Sequence, residues 1–401
     1  MNKMARKIVS VGLALSFVAA LLVGCQVGGG AAYGGKIRIG NVAPLTGDIP
    51  KVGEEGKFAL DLLMEEMGGE IEVDGQTYEI EMIHEDNEAK AESAVSAATK
   101  LITEDEVLAL VGSYSSKQAV PMGEVADREK CPDISPWSTN PRTTKDRPWV
   151  FRACFIDPYQ GKVAAQFAQE EFGVNKVAVL YDVASDYPKG LAEFFQQGAE
   201  EAGMEVVAFE SFTTKDKDFS SQLTKIIGSG AELLFTPQYY DEVPLIVKQA
   251  HELGWDNPIM GSDSWSSPEL MELCGEDCVG CYFTSHYAMK GATGATKEFI
   301  DKYNEKYGYI PGDVAALAWD AGNMLFNAIK ETGGLTGDLE EDRQAIRDQL
   351  ASIERWEGAT GTIKYEGAEV EGDPIKCVVV VEITPDQEFT FYKMACPTEL
   401  Q

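Results

Sequence analysis

Val107-Leu108-Ala109-Leu110-Val111 runs without interruption into Gly112-Ser113-Tyr114-Ser115-Ser116. An apolar run of this length, stopped by a glycine and a cluster of hydroxyls, reads as a short strand buried on both faces. Residues 116–128 are predicted to be a helix. A buried strand leading directly into a helix is half of a βαβ unit, and such units build parallel sheets.

The same rhythm extends in both directions. Upstream, strands are predicted at residues 37–43 and 78–84, with helices at 54–67 and 88–102. Downstream, helices at 159–172, 188–202, 219–227 and 243–253 alternate with strands at 177–181, 205–209, 233–236 and 259–261. Helices at 296–307 and 314–332 follow, then strand-like runs at 362–365, 375–383 and 388–392. The expected fold class is α/β, with two doubly wound Rossmann-like lobes in succession and the last elements returning to complete them. A length of 401 residues suits two domains better than one core. The expected division is 36–155 plus 289–370 for lobe 1, and 156–288 plus 371–401 for lobe 2.

The first residues differ in kind. Lys3, Arg6 and Lys7 precede an apolar run from residue 8 to residue 23, the pattern of a signal peptide over 1–24. Leu22-Val23-Gly24-Cys25 resembles the bacterial lipobox, which implies acylation of Cys25 and membrane contact through a lipid anchor. Residues 25–35, rich in glycine and uncharged, are expected to act as a flexible tether. No later segment is long and apolar enough for a membrane span.

The chain carries 66 acidic and 34 basic residues, a formal net charge of −32. A surface of that sign repels phosphate backbones, so nucleic acid is excluded as a partner. Seven cysteines follow Cys25. In an exported chain, Cys131 with Cys154 and Cys377 with Cys396 are expected to pair, each closing a loop worth ~3 kcal/mol. Cys274, Cys278 and Cys281 make a poor zinc signature, and a disulfide plus one free thiol is the favoured reading. Neither a metal nor a cofactor is expected. H-E-x-x-H, G-x-S-x-G, a Walker A loop and a G-x-G-x-x-G after a strand are all absent from the sequence. The expectation is a binding protein and not an enzyme.

Ligands of open α/β sheets sit beyond the carboxyl ends of strands. Three such places stand out. Gly112 permits close approach, and Ser115 and Ser116 offer hydroxyls at a helix N-terminus suited to a carboxylate; a serine there equally serves as a plain N-cap. The loop Ile134 to Pro141 presents backbone groups, Trp137 and Thr139. Gly261-Ser262-Asp263 places an acid where it could pair with an ammonium group or merely cap a turn.

At this point the chain resembles the periplasmic branched-chain amino acid binding proteins, the type I solute-binding proteins of ABC importers. The resemblance covers residues 36–392. It is carried by Gly40-Asn41-Val42-Ala43-Pro44-Leu45-Thr46-Gly47 with Gly53, by Val111 to Ser116, by Phe151-Arg152 with Gln160-Gly161, and by Lys176-Val177-Ala178-Val179-Leu180-Tyr181. Tyr187, Gly261-Ser262-Asp263 and Ala315-Ala316-Leu317-Ala318-Trp319-Asp320 complete it. It implies a type I periplasmic binding protein fold with a hinge. It also implies a ligand α-carboxylate held by Ser115, Ser116, Trp137 and Thr139, and an ammonium held by Asp263 with Tyr187 and Tyr239 or Tyr240. The implied partners are an amino acid and an ABC permease, with the chain itself a monomer; a lipid-anchored sensor acting on a signalling partner is the alternative. The sequence departs from the leucine-binding pattern at Val52, where an aromatic residue is usual, and at Trp137, where alanine is. Trp137, Tyr187, Tyr239 and Trp319 are candidates for an aromatic pocket wall.

Overall fold

The computed structural model describes residues 31–400. The expected signal peptide, Cys25 and the first part of the expected tether lie outside the described residues. Residues 31–35 do not behave as tether: Ala32–Gly35 forms a 3-10 turn, and the Tyr33 hydroxyl donates to Asp342 Oδ2 at 2.6 Å.

The first series of elements is β1 (Lys36–Ala43), α1 (Pro50–Glu66), β2 (Glu70–Val73), β3 (Gln76–Asp86), α2 (Ala91–Thr103), β4 (Ala109–Gly112), α3 (Ser116–Arg128), β5 (Asp133–Ser135) and β6 (Val150–Arg152). These strands form a six-stranded sheet in the order β2-β3-β1-β4-β5-β6, parallel except for β2. The chain winds one way from β1 to β3 and then returns to β4 on the other side of β1. That reversal opens a crevice at the carboxyl ends of β1 and β4.

The second series is α4 (Asp157–Phe172), β7 (Lys176–Asp182), α5 (Asp186–Glu201), β8 (Glu205–Phe212), α6 (Ser220–Gly228), β9 (Leu233–Phe235), α7 (Val243–Glu252), β10 (Ile259–Gly261), α8 (Pro268–Cys274) and β11 (Tyr282–Ser285). Strand β9 lies beside β7 on the side opposite β8, so this sheet has its own reversal. The chain then crosses back through α9 (Gly294–Tyr307), α10 (Asp313–Lys330) and α11 (Leu339–Ala351) to a small hairpin, β12 (Arg355–Gly358) with β13 (Gly361–Lys364). Helix α10 packs on α1 and reaches β2, β4 and β5, covering the first sheet. The final strands β14 (Val378–Ile383) and β15 (Phe389–Ala395) return to the second sheet, giving the order β15-β14-β11-β10-β9-β7-β8. The architecture is α/β with two lobes, and three chain segments join them.

Local chemistry sets the element ends. Pro50 stands in the first turn of α1, where a missing N–H costs nothing, so the helix begins earlier than the predicted residue 54. Gly173 and Gly308 end α4 and α9 at φ 66° and 84°, the left-handed conformation that glycine adopts freely. Asp338 caps α11 by accepting from the N–H groups of Glu340 and Glu341.

One predicted disulfide is wrong. Cys131 and Cys154 are both free and buried. Cys131 packs with Leu101, Met122 and Val125 on the α2–α3 face of the first sheet, whereas Cys154 belongs to the apolar cluster on the opposite face and turns its Sγ to Ser138 O at 3.2 Å. Loop length favours a closure that the sheet between them forbids. Cys377 pairs with Cys396, and Cys274 with Cys278, leaving Cys281 as the free thiol of its trio. Replacing Cys377 and Cys396 together by serine is expected to lower unfolding free energy by about 3 kcal/mol, read from the urea midpoint. An unchanged midpoint would show that the bond constrains nothing in the unfolded chain.

Candidate functional site

The site is assembled from the carboxyl ends of strands in both lobes. Gly112 closes β4 at φ 145°, and a Cβ there would fall 2.6 Å from Val42 O, so only glycine lets β4 end against β1. The chain turns through Ser113 and Tyr114 to Ser115 and Ser116, both buried at the start of α3. Ser115 occupies the N-cap position without a side-chain cap; its hydroxyl donates to Gln118 Oε1. Ser116 Oγ accepts from Ser138 Oγ at 3.0 Å.

Beyond β5, the loop bearing Trp137 and Thr139 has no regular hydrogen-bond ladder to fix it. Arg152 does so instead. Its guanidinium, 0% exposed, donates to Ser138 O (2.7 Å), Asn140 O (3.0 Å) and Thr144 Oγ1 (2.7 Å), and its Nε pairs with Asp373 at 2.7 Å.

From the second lobe, β10 ends at Gly261, where a Cβ would lie 2.0 Å from the Trp265 ring. The tight packing throws Asp263 into the interior, 1% exposed. Its Oδ1 accepts from Gln160 Nε2 (2.6 Å) and from the Tyr187 hydroxyl (2.5 Å), which also lies 2.7 Å from Ser262 Oγ. Its Oδ2 is 3.7 Å from His286 Nε2. Asp263 therefore answers to side chains around a cavity, which a plain turn cap does not.

Six of the residues singled out in the sequence line one cavity: Ser115, Ser116, Trp137, Tyr187, Tyr239 and Asp263. These side chains are drawn together so closely that almost no free space is left between them. The rings of Trp137 and Tyr187 lie 6.1 and 5.5 Å from that of Tyr239, forming an aromatic wall. The Trp137 N–H is buried without a hydrogen-bond partner, and the Tyr239 hydroxyl faces Ser115 and Ser185 without an aligned bond. Buried polar groups left in this state are poised for a ligand or water.

Thr139 does not line the cavity. It is fully buried behind it, its carbonyl accepting the Asp157 N–H at 2.9 Å and its hydroxyl facing the Asp157 carboxyl. Tyr240 does not line it either; its hydroxyl accepts the Lys51 N–H at 3.2 Å. Trp319 is elsewhere, on α10 against Phe299. Gln160, His286 and Asp157 are polar neighbours the sequence did not single out for the site; Gln160 was visible only as part of the Gln160-Gly161 pattern.

The lobes meet over the cavity. Arg142 pairs with Asp186 at 2.9 Å, Asn140 Nδ2 donates to Asp186 O at 3.1 Å, and Lys215 pairs with Asp48 at 3.1 Å.

Burial dominates the electrostatics. It pushes the Asp157 carboxyl up to about 8, with Asp263 adding to the effect, and the His286 imidazole down to about 4. The same cause raises Glu55 and Glu242 to about 8. In the folded protein these three carboxyls keep protons that the unfolded chain has released, so stability falls as pH rises towards about 8. His286 acts in the opposite sense, but only between about 4 and its ordinary 6.5. The melting temperature is therefore expected to drop between pH ~6.5 and ~8, the window above the histidine's titration. A rise across that window, measured by calorimetry, would contradict the burial argument.

Two facing α/β lobes with a small polar cavity between their strand ends define a solute-binding protein. The chain belongs to the periplasmic binding protein family, whose profile matches residues 36–388. Leu/Ile/Val-binding protein homolog 3 of Brucella melitensis is 28% identical over 354 residues, 88% of this chain and 93% of its own. The structure of leucine binding protein LivK from Thermotoga maritima matches with a TM-score of 0.83 and 33% identity, covering 90% of this chain and 99% of that one. LivJ of Streptococcus pneumoniae, described as a branched-chain amino acid transporter substrate binding protein in complex with isoleucine, matches with a TM-score of 0.81 and 29% identity, over 90% of this chain and all of that one. The family and these neighbours are solute-binding proteins, not enzymes.

Proposed function

We propose that this chain is an exported, lipid-anchored binding protein that closes its lobes around one amino acid and delivers it to an ABC permease. The observation that carries the reading is the cavity itself, with hydroxyls on one wall and a carboxylate on the other. A zwitterion makes those two demands at once. Ser115 and Ser116, at the N-terminus of α3, would receive the α-carboxylate, with the Trp137–Thr139 loop beside them. Asp263, ordered by Tyr187 and Gln160, would receive the ammonium, and Tyr239 would cover the ligand. Because the two walls belong to different lobes, a ligand gripping both favours the closed form. Lobe boundaries near residues 155, 288 and 370 would place the hinge at the three crossing segments. Cys25 would hold the monomer at the membrane by its acyl chains.

Calorimetric titration of the mature chain with each of the twenty amino acids tests the reading. Saturable heat with at least one is expected; none with any would end it.

A further inference from the structure

Two of the segments that join the lobes pass from one to the other within a residue or two. On the first segment, the Ala153 N–H donates to Ser135 O at 3.0 Å and the Cys154 thiol to Ser138 O at 3.2 Å, both in the first lobe. The next residue, Phe155, packs with Val163 of α4 and Val378 of β14 in the second. On the third segment, Gly372 O accepts the Arg152 N–H at 3.0 Å, and Ile375 exchanges backbone hydrogen bonds with Lys364 of β13 at 2.7 and 3.2 Å. Val378 then opens β14 in the second sheet. The passage therefore falls on Lys376 and Cys377.

Both residues are held. Lys376 is 1% exposed, and its Nζ donates to Thr360 Oγ1 at 2.6 Å. Thr360 in turn donates to Asp320 Oδ2 on α10 through its hydroxyl (2.6 Å) and its N–H (2.9 Å), while the Ala359 N–H donates to Oδ1 at 2.7 Å. The β12–β13 turn can wrap this carboxylate because residue 358 is glycine; a Cβ there would lie 2.4 Å from Asp320 Oδ1. On the other side, Cys377 is bonded to Cys396 across the β14–β15 hairpin. The turning points lie side by side. Phe155 and Val378 share one apolar cluster, and His286, on the second segment, stacks on Phe155 with ring centroids 3.7 Å apart.

Stability alone does not call for an ammonium here. Burial pulls Lys376 down to about 8, with Asp320 the largest opposing influence. An apolar chain of similar volume would serve the core at least as well. What the ammonium adds is a fixed position for the segment.

We infer that Lys376 is a positioning residue of the hinge, which ties the third segment to Asp320 through Thr360 and confines the lobe rotation to the bonds around Phe155, His286 and Cys377. Hinges work through a few such residues that absorb the backbone change. The inference rests on the reading of a chain that closes on its ligand, and adds where it turns.

Spin labels carried on p-acetylphenylalanine at positions 124 and 189, exposed on α3 and α5, report the distance between the lobes of the whole mature chain. An equal mixture of the twenty amino acids is expected to shorten that distance in the otherwise unaltered protein. Lys376→Met is expected to widen the ligand-free distribution at least twofold without lowering the urea midpoint. If that variant is poorly folded, Thr360→Val, which removes only the bridging hydroxyl, is expected to widen it in the same direction. An unchanged width in the folded variants, or a midpoint lowered by Lys376→Met in step with the widening, overturns the inference while leaving closure standing. A distance that the amino acids do not shorten in the unaltered protein overturns the closing reading as well.

Discussion

Asp263→Ala is expected to raise the dissociation constant for the bound amino acid by about thirty-fold to several thousand-fold. The range corresponds to the ~2–5 kcal/mol lost when one partner of a buried charged pair is truncated. Its size follows from burial: Asp263 is 1% exposed, so water cannot take the place of the missing carboxylate. The side chain is also held in one orientation by Gln160 and Tyr187 through the same oxygen, leaving Oδ2 towards His286 at 3.7 Å. Asp263→Asn keeps the shape without the charge and should fall between wild type and alanine. Titration calorimetry with a urea midpoint on each variant separates lost affinity from lost folding. A dissociation constant within threefold of wild type in a folded Asp263→Ala protein would place the ammonium elsewhere.

Arg152→Ala is expected to be the most damaging single change to stability outside the ligand contacts, at about 3–5 kcal/mol, the usual result of breaking a buried ion pair. It would leave Asp373 buried without its partner and release the carbonyls of Ser138 and Asn140, on either side of Thr139. Among the described residues Asp373 would keep the Thr144 hydroxyl, which donates to it at 2.5 Å. Arg152→Lys restores charge but not the forked geometry that binds several acceptors at once, so it should recover only part of the loss. Urea unfolding of the ligand-free protein is the measurement, and a loss below ~1 kcal/mol would show that the carbonyls find water instead.

The fold was legible because its elements obey two different periods. The unbroken apolar run at Val107–Val111 and the amphipathic helices beside it admit little but a parallel sheet. Elements whose stability comes from tertiary packing were not legible. Helix α11 buries chiefly Ile346 and Leu350 among charged residues and looks like surface chain until Arg343 is seen donating to the Val107 and Ile102 carbonyls. Strands β2, β11 and β12 carry no aliphatic run, mixing single apolar residues with Glu70, Glu72, Thr284, Ser285, Arg355 and Glu357, so nothing in their pattern sets them apart from loops. The candidate site was legible where a loop follows a strand end, as at Ser115, Ser116 and Asp263. It was not at Asp157 or His286, whose polarity matters only because the fold buries them. Trp319 misled because an aromatic residue in a helix gives no sign of the lobe surface it faces. The Cys131–Cys154 pairing failed for a related reason: spacing is blind to which side of a sheet a residue takes.

The central claim is that the two ends of a zwitterion are read by opposite walls of one cavity. It is tested most directly by a thermodynamic cycle combining Asp263→Ala with removal of the ammonium from the ligand. The tightest-binding amino acid and its des-amino analogue would be titrated into wild type and variant. The account predicts that deleting the ammonium weakens binding to wild type at least about thirty-fold but costs the Asp263→Ala protein almost nothing, since the partner is already gone. Equal losses in both proteins would mean that Asp263 and the ammonium never meet, and would contradict it.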